Sequence, residues 1–118
     1  MLLLLKYNGV VIAKNIEFSR TLLKQGLGLM FRRSIPLDYS MIFILKKPSN
    51  VNVHMLFVFC PIDVIFLNEE KKVSGFSRLR PWVGFKEIKN IKYVLEMKAG
   101  TIDRLDLKVG GQIEFDES

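Results

Sequence analysis

The chain opens with two β-prone runs, Leu2 to Tyr7 and Val10 to Ile16, separated by Asn8-Gly9. That dipeptide supplies the positive φ angles of a two-residue turn, so the pattern predicts an N-terminal β-hairpin at the edge of a sheet. Ser19 offers a helix N-cap, and Leu22, Leu23, Leu27 and Met30 then recur near the helical period. An amphipathic helix is expected from about Arg20, ending near Gly28 or Phe31. Beyond Pro36, the runs Met41 to Leu45, Val51 to Phe59, Ile62 to Leu67 and Val73 to Phe76 are rich in Val, Ile and Phe and bounded by Pro, Asn or Gly. They read as successive strands. Apolar residues fill both parities of Met55 to Phe59, which predicts a central strand covered on both faces.

The period is lost from Arg78 to Asn90, where Pro81, Trp82 and Gly84 predict an irregular surface loop. Ile91, Tyr93, Leu95 and Met97 then alternate with Lys92, Glu96 and Lys98, the pattern of a half-buried strand. Ala99-Gly100 turns the chain into a short helical segment, Thr101 to Lys108, and Gly110-Gly111 introduces a last strand through Phe115. Many short strands with two short helices predict an α+β, mainly antiparallel domain, with the sheet curled into a partial barrel. At 118 residues, 49% hydrophobic and 25% charged, the chain has the size and composition of one globular domain, residues 1–118.

No apolar run approaches the roughly 20 residues that span a bilayer, and Met1 to Leu5 is too short for the core of an export signal. With one cysteine, Cys60, no internal disulfide can form, and a soluble protein of the reducing cytoplasm without a membrane partner is expected. Cys60 lies among Phe57, Val58, Phe59 and Pro61 and reads as a small core side chain.

Several blocks in order carry a family resemblance: Gly28-Leu29-Met30-Phe31-Arg32, Met41-Ile42-Phe43, Pro61-Ile62-Asp63-Val64-Ile65-Phe66, and Tyr93-Val94-Leu95-Glu96 followed by Ala99-Gly100. From about residue 17 to the end, the chain resembles the family catalogued as domain of unknown function 192. The resemblance implies a small strand-rich fold and no established activity. Three departures stand out. His54-Met55-Leu56-Phe57-Val58 replaces the family's Trp-Met-Lys-Asn-Thr-like block, Ser40 stands at its Gly, and Gly110-Gly111 at its Gly-Asp.

The chemistry narrows by subtraction. One histidine and one cysteine are too few for an ordinary zinc site, and no metal or cofactor is expected. On one strand, His54 and Cys60 would stand about 20 Å apart at roughly 3.3 Å per residue, too far for a nucleophile and its base. Neither a Gly-x-Ser-x-Gly elbow nor a glycine-rich phosphate loop is present.

Asp63 is flanked by Ile62 and Val64, and a buried carboxylate needs a partner, for which Arg32 is the candidate. A structural ion pair or a turn-capping carboxylate accounts for such a residue; so does acid-base catalysis, if Asp63, His54 and Glu96 line one cleft. Charge adds a second lead. The formal net charge is +6, and between residues 71 and 92 the basic residues Lys71, Lys72, Arg78, Arg80, Lys86, Lys89 and Lys92 face a single acid, Glu87. Phe76, Trp82 and Phe85 interleave with them, the mixture of phosphate contacts and stacking surfaces found in single-strand nucleic acid binders.

The leading expectation is a non-catalytic module that binds an unknown small ligand in an apolar pocket lined by Arg32, His54, Asp63 and Glu96 and rimmed by the Arg78 to Phe85 loop. Two alternatives stay open: nucleic acid binding through Arg78, Arg80, Trp82, Phe85 and Lys86, and an acid-base enzyme using Asp63, Glu96 and His54. The oligomeric state is not legible in the sequence.

Overall fold

The computed structural model describes residues 4–19, 34–55 and 58–116, with His54 given by its backbone. Asn8 and Gly9 take the positive φ angles, 48° and 85°, that join β1 (Leu5–Tyr7) to β2 (Val10–Ala13) as the expected hairpin. The second run does not continue to Ile16 as one strand. It breaks at Lys14, where the amides of Lys14 and Asn15 both donate to the Asp38 carbonyl, and β3 (Asn15–Ser19) leaves for another sheet. There it pairs in parallel with β4 (Tyr39–His54), the exception in an otherwise antiparallel set. The helix expected from Arg20 lies outside the described residues.

The strands β5 (Ile62–Leu67), β6 (Val73–Leu79) and β7 (Phe85–Lys98) complete a five-stranded sheet in the order β3-β4-β7-β5-β6. After α1 (Thr101–Leu105), β8 (Ile113–Glu114) returns to β1, so that β2-β1-β8 forms a second, three-stranded sheet with β2 at its edge. Among the described residues α1 is the single helix.

Three strand assignments change. The runs at Met41 and Val51 are one 16-residue strand, whose pairing with β7 is irregular between Ile44 and Val51 because Lys46 to Asn50 bulge. Pro48 sits there, where no regular ladder bond is asked of it. That strand ends at His54; Met55 and Val58 are buried outside any strand, and the central place between β4 and β5 belongs to β7. Much of the loop expected at Arg78 to Asn90 is strand, since β6 runs to Leu79 and β7 starts at Phe85.

The expected barrel does not form. The five-stranded sheet is open, and no ladder joins its edges β3 and β6 among the described residues. Instead both faces are covered. On one, Met41, Phe43, Val51, Ile62, Phe66 and Val94 form a buried cluster. On the other, Ile42, Ile65 and Leu95 pack with Leu5, Ile12 and Ile113 of the small sheet and with Leu107. A second layer thus hides the face that closure would have left outside, which removes the need to close. This explains why all six residues of β5 are buried.

Phe66 is fully buried in the first of these clusters. Replacing it by Ala should lower unfolding stability by about 3–5 kcal/mol. Urea denaturation measures this, and a loss below about 1 kcal/mol would mean that the cluster can collapse around the gap.

Candidate functional site

The Asp63 side chain, fully buried on β5, has both oxygens engaged. Oδ1 accepts from Arg78 Nε at 2.9 Å; Oδ2 accepts from the amides of Gly100 and Ile102 at 2.9 Å each and, at 3.4 Å, from Arg78 Nη2. The same Nη2 donates to Asp103 at 2.8 Å. Gly100 precedes α1 with φ 105° and has no side chain to cap it, so Asp63 caps the helix from a different strand. Hydrogen bonds to Asp63 first, and then to Asp103, raise the Arg78 pKa and hold its guanidinium charged.

This network decides between the readings of Asp63. Its partner is Arg78, opposite it in the β5–β6 register, whereas Arg32 lies outside the described residues. Asp63 and Arg78 both carry a structural role in this network. The acid-base arrangement fails too. Asp63 is in register with Met97, and its neighbour Val64 with Glu96; successive residues of a strand face opposite ways, so the buried Asp63 and Glu96 lie on opposite faces of the sheet. They share no cleft. The backbone of His54 pairs with Phe85, away from both carboxylates in the ladder. Among the described residues no three His, Cys, Asp or Glu side chains gather as a metal site, and no helix is long and apolar enough to cross a membrane. Cys60 packs half-buried against the core, and burial raises its thiol pKa.

The basic stretch divides in two. Lys71 Nζ donates to the Phe115 carbonyl at 2.8 Å and sits 4.1 Å from that ring's centre, and Lys92 Nζ donates to the Leu45 carbonyl and lies 5.6 Å from the Tyr93 ring centre. With Arg78, these cations serve the fold. The side chains of Lys72, Arg80, Lys86 and Lys89 have no hydrogen-bond or ion-pair partner among the described residues.

Arg80 and Lys86 flank the turn between β6 and β7, which is tightly specified. Trp82 N donates to the Met55 carbonyl at 3.0 Å, Met55 N to the Gly84 carbonyl at 3.1 Å, and Gly84 N to the Arg80 carbonyl at 2.9 Å. A Cβ at Gly84 would stand 2.6 Å from the Arg80 carbonyl oxygen, so no larger residue fits. Trp82 adopts φ 66°, unfavourable for a bulky side chain, and its ring meets that of Phe59 edge-on, with centroids 5.4 Å apart. Yet Trp82, Val83 and Phe85 are 41%, 73% and 58% exposed. Trp82, Val83 and Phe85, with Arg80 beside the turn and Lys89 on the face of β7 that carries Phe85, form the candidate contact surface; Lys86, half-buried and in register with the buried Val53, projects to the other face.

Of the residues that organise the structure, sequence reasoning missed Arg78 as the partner of Asp63. Counting from the Asn68 to Lys72 turn would pair Asp63 with Ser77, and the register shift between Phe66 and Leu67 brings Arg78 opposite it instead. No local pattern announces Asp103 or the cap on α1.

Replacing Asp63 by Ala strands the Gly100 and Ile102 amides and should cost about 1–3 kcal/mol. A denaturation midpoint equal to that of the unaltered protein would show that water replaces the carboxylate.

The sequence matches the model of the family described as Uncharacterized ACR, the domain of unknown function 192, over residues 4–115. The UPF0127 protein of Pyrococcus furiosus is 37% identical over 109 residues, covering 91% of each chain. That of Thermococcus sibiricus is 32% identical over 117 residues, 98% of this chain and 75% of the relative. Among solved structures, a protein of unknown function from Novosphingobium aromaticivorans superposes with a TM-score of 0.82 at 25% identity, over 94% of this chain and 83% of that one. A Sinorhizobium meliloti protein described as a candidate transcription regulator gives a TM-score of 0.82 at 21% identity, over 98% and 94%, a likeness of fold alone. On the family match and these relatives, the chain belongs to the Uncharacterized ACR family of conserved proteins whose function is not established.

Proposed function

We propose that this protein is a non-catalytic module that binds single-stranded nucleic acid through the turn between β6 and β7. The observation that carries the reading is the exposure of Trp82 and Phe85 at a tightly bonded turn, with Arg80 beside it and Lys89 on the face of β7 that carries Phe85, cations whose side chains have no internal partner among the described residues. Trp82 and Phe85 stand three positions apart, which keeps their Cα atoms within about 11 Å. Bases stack on aromatic faces regardless of sequence, and Arg and Lys nearby neutralise the phosphates between them. Folding around an exposed Trp with positive φ costs stability, and such strain persists where the surrounding structure enforces it. Here the Met55 and Gly84 backbone bonds enforce it.

The small-ligand reading loses Asp63, whose oxygens are taken, and the catalytic reading loses the meeting of Asp63 with Glu96. The surface at the turn keeps Arg80, Trp82 and Phe85 of the nucleic-acid set, while Arg78 is engaged with Asp63 and Lys86 projects to the face opposite Phe85.

Trp82 is the only tryptophan, so its fluorescence reports this surface alone. Titration with a single-stranded oligonucleotide of about ten nucleotides, within the roughly 4–16 that such modules cover, should quench it, with affinity falling steeply as salt rises. Arg80→Ala and Lys89→Ala should each reduce the slope of log affinity against log salt by about 0.7. Unchanged emission at low salt, or quenching indifferent to salt, overturns the proposal.

A further inference from the structure

Glu87 is the one acid between residues 71 and 92, and it stands on the outward face of β7 between Phe85 and Lys89. Burial alternates along this segment: Phe85, Glu87 and Lys89 are exposed, whereas Lys86 and Ile88 are half-buried. Across the ladder Glu87 is in register with Asn52, itself exposed between the buried Val51 and Val53. Register partners project to the same side of a sheet with their Cα atoms about 4.5–5.5 Å apart. Neither side chain makes a hydrogen bond or ion pair among the described residues, although Lys86 and Lys89 are close along the strand.

A carboxylate on an anion-binding surface repels phosphate. What it attracts in a nucleic acid is the hydrogen-bond donors of the bases: a carboxylate accepts from the cytosine N4 amine, and an Asn amide pairs with the N6 and N7 edge of adenine. Thymine presents the O4 carbonyl where cytosine carries its amine, and a carboxylate repels that oxygen. Two residues of strand separate Glu87 from Phe85, about 7 Å, so a base next to one stacked on Phe85 comes within reach.

We infer that Asn52 and Glu87 form a base-reading pair that gives this surface a preference for bases bearing exocyclic amines, cytosine and adenine, over thymine. The inference rests on the nucleic-acid reading of the turn. Glu87 then sets specificity while lowering overall affinity, and Lys89, a further two residues along the same face, meets the following phosphate.

The test compares oligo-dC with oligo-dT of equal length by Trp82 fluorescence, because two pyrimidines differ little in stacking and isolate the edge contact. The unaltered protein should prefer oligo-dC by roughly fivefold or more, the lower end for one specific base contact. Glu87→Ala should bring the ratio near one by tightening oligo-dT binding, and Asn52→Ala should weaken oligo-dA more than oligo-dT. Both positions are exposed, so neither change threatens the fold. Quenching by both oligomers with no preference, or a preference that survives Glu87→Ala, overturns the inference and leaves the binding reading standing. No quenching by any oligomer removes both.

Discussion

The carboxylate of Asp63 is the interaction on which the arrangement of the layers turns. An ionised group sealed between apolar strands is tolerated only when its lone pairs are met by donors and its charge by a counter-ion. Here the donors come from two places distant from it in the chain: Arg78 on β6, and the Gly100 and Ile102 amides at the start of α1. One side chain therefore fixes the β5–β6 hairpin and the position of the helix that carries the chain from the large sheet towards the small one. Without it, α1 would begin with orphan amides against a buried surface.

The same network sorts the positive charge. Composition places an excess of cations between residues 71 and 92, but Lys71, Arg78 and Lys92 are occupied with carbonyls, rings and carboxylates of the fold. Of what is left for a partner, Lys72 stands at the turn before β6 and Arg80 at the other end of that strand, where the backbone of Met55 and the close quarters of Gly84 fix the turn that carries Trp82. Arg78 and Arg80, two residues apart, thus stand in different surroundings, one paired with Asp63 and Asp103 and the other exposed. Position relative to the end of β6 separates them.

The sequence foretold most of the strands, because period-two alternation and the Asn8-Gly9 turn are local signals, while the family came from the resemblance of its ordered motif blocks. It also placed a partnered carboxylate at Asp63, since an acid between Ile62 and Val64 on an apolar strand has to be met by donors. Its errors share one cause. The break at Lys14, the merging of two runs into β4 and the open sheet all depend on which strands become neighbours, and that is decided by packing between segments distant in sequence. Pro81, Trp82 and Gly84 correctly marked a turn, but the strands on either side extend closer to it than the lost periodicity suggested, because the exposed Phe85, Glu87 and Lys89 disguise the start of β7. The opposite facing of Asp63 and Glu96 is a matter of register, which no single segment encodes.

The small sheet is assembled from the two ends of the described chain. β1 pairs with β2 immediately beside it but also with β8, and the Asn8 side chain accepts from the Gln112 amide 104 residues away, just as the Tyr7 hydroxyl accepts from the Lys108 amide across 101. Closing so long a loop costs entropy before any contact is gained, and topologies dominated by such pairings fold slowly. The first hairpin, marginal as an isolated pair of strands, must wait for β8 to arrive. During synthesis its edge therefore stays unpaired until β8 has been made, which makes the interval before β8 docks a time of exposure to misassembly.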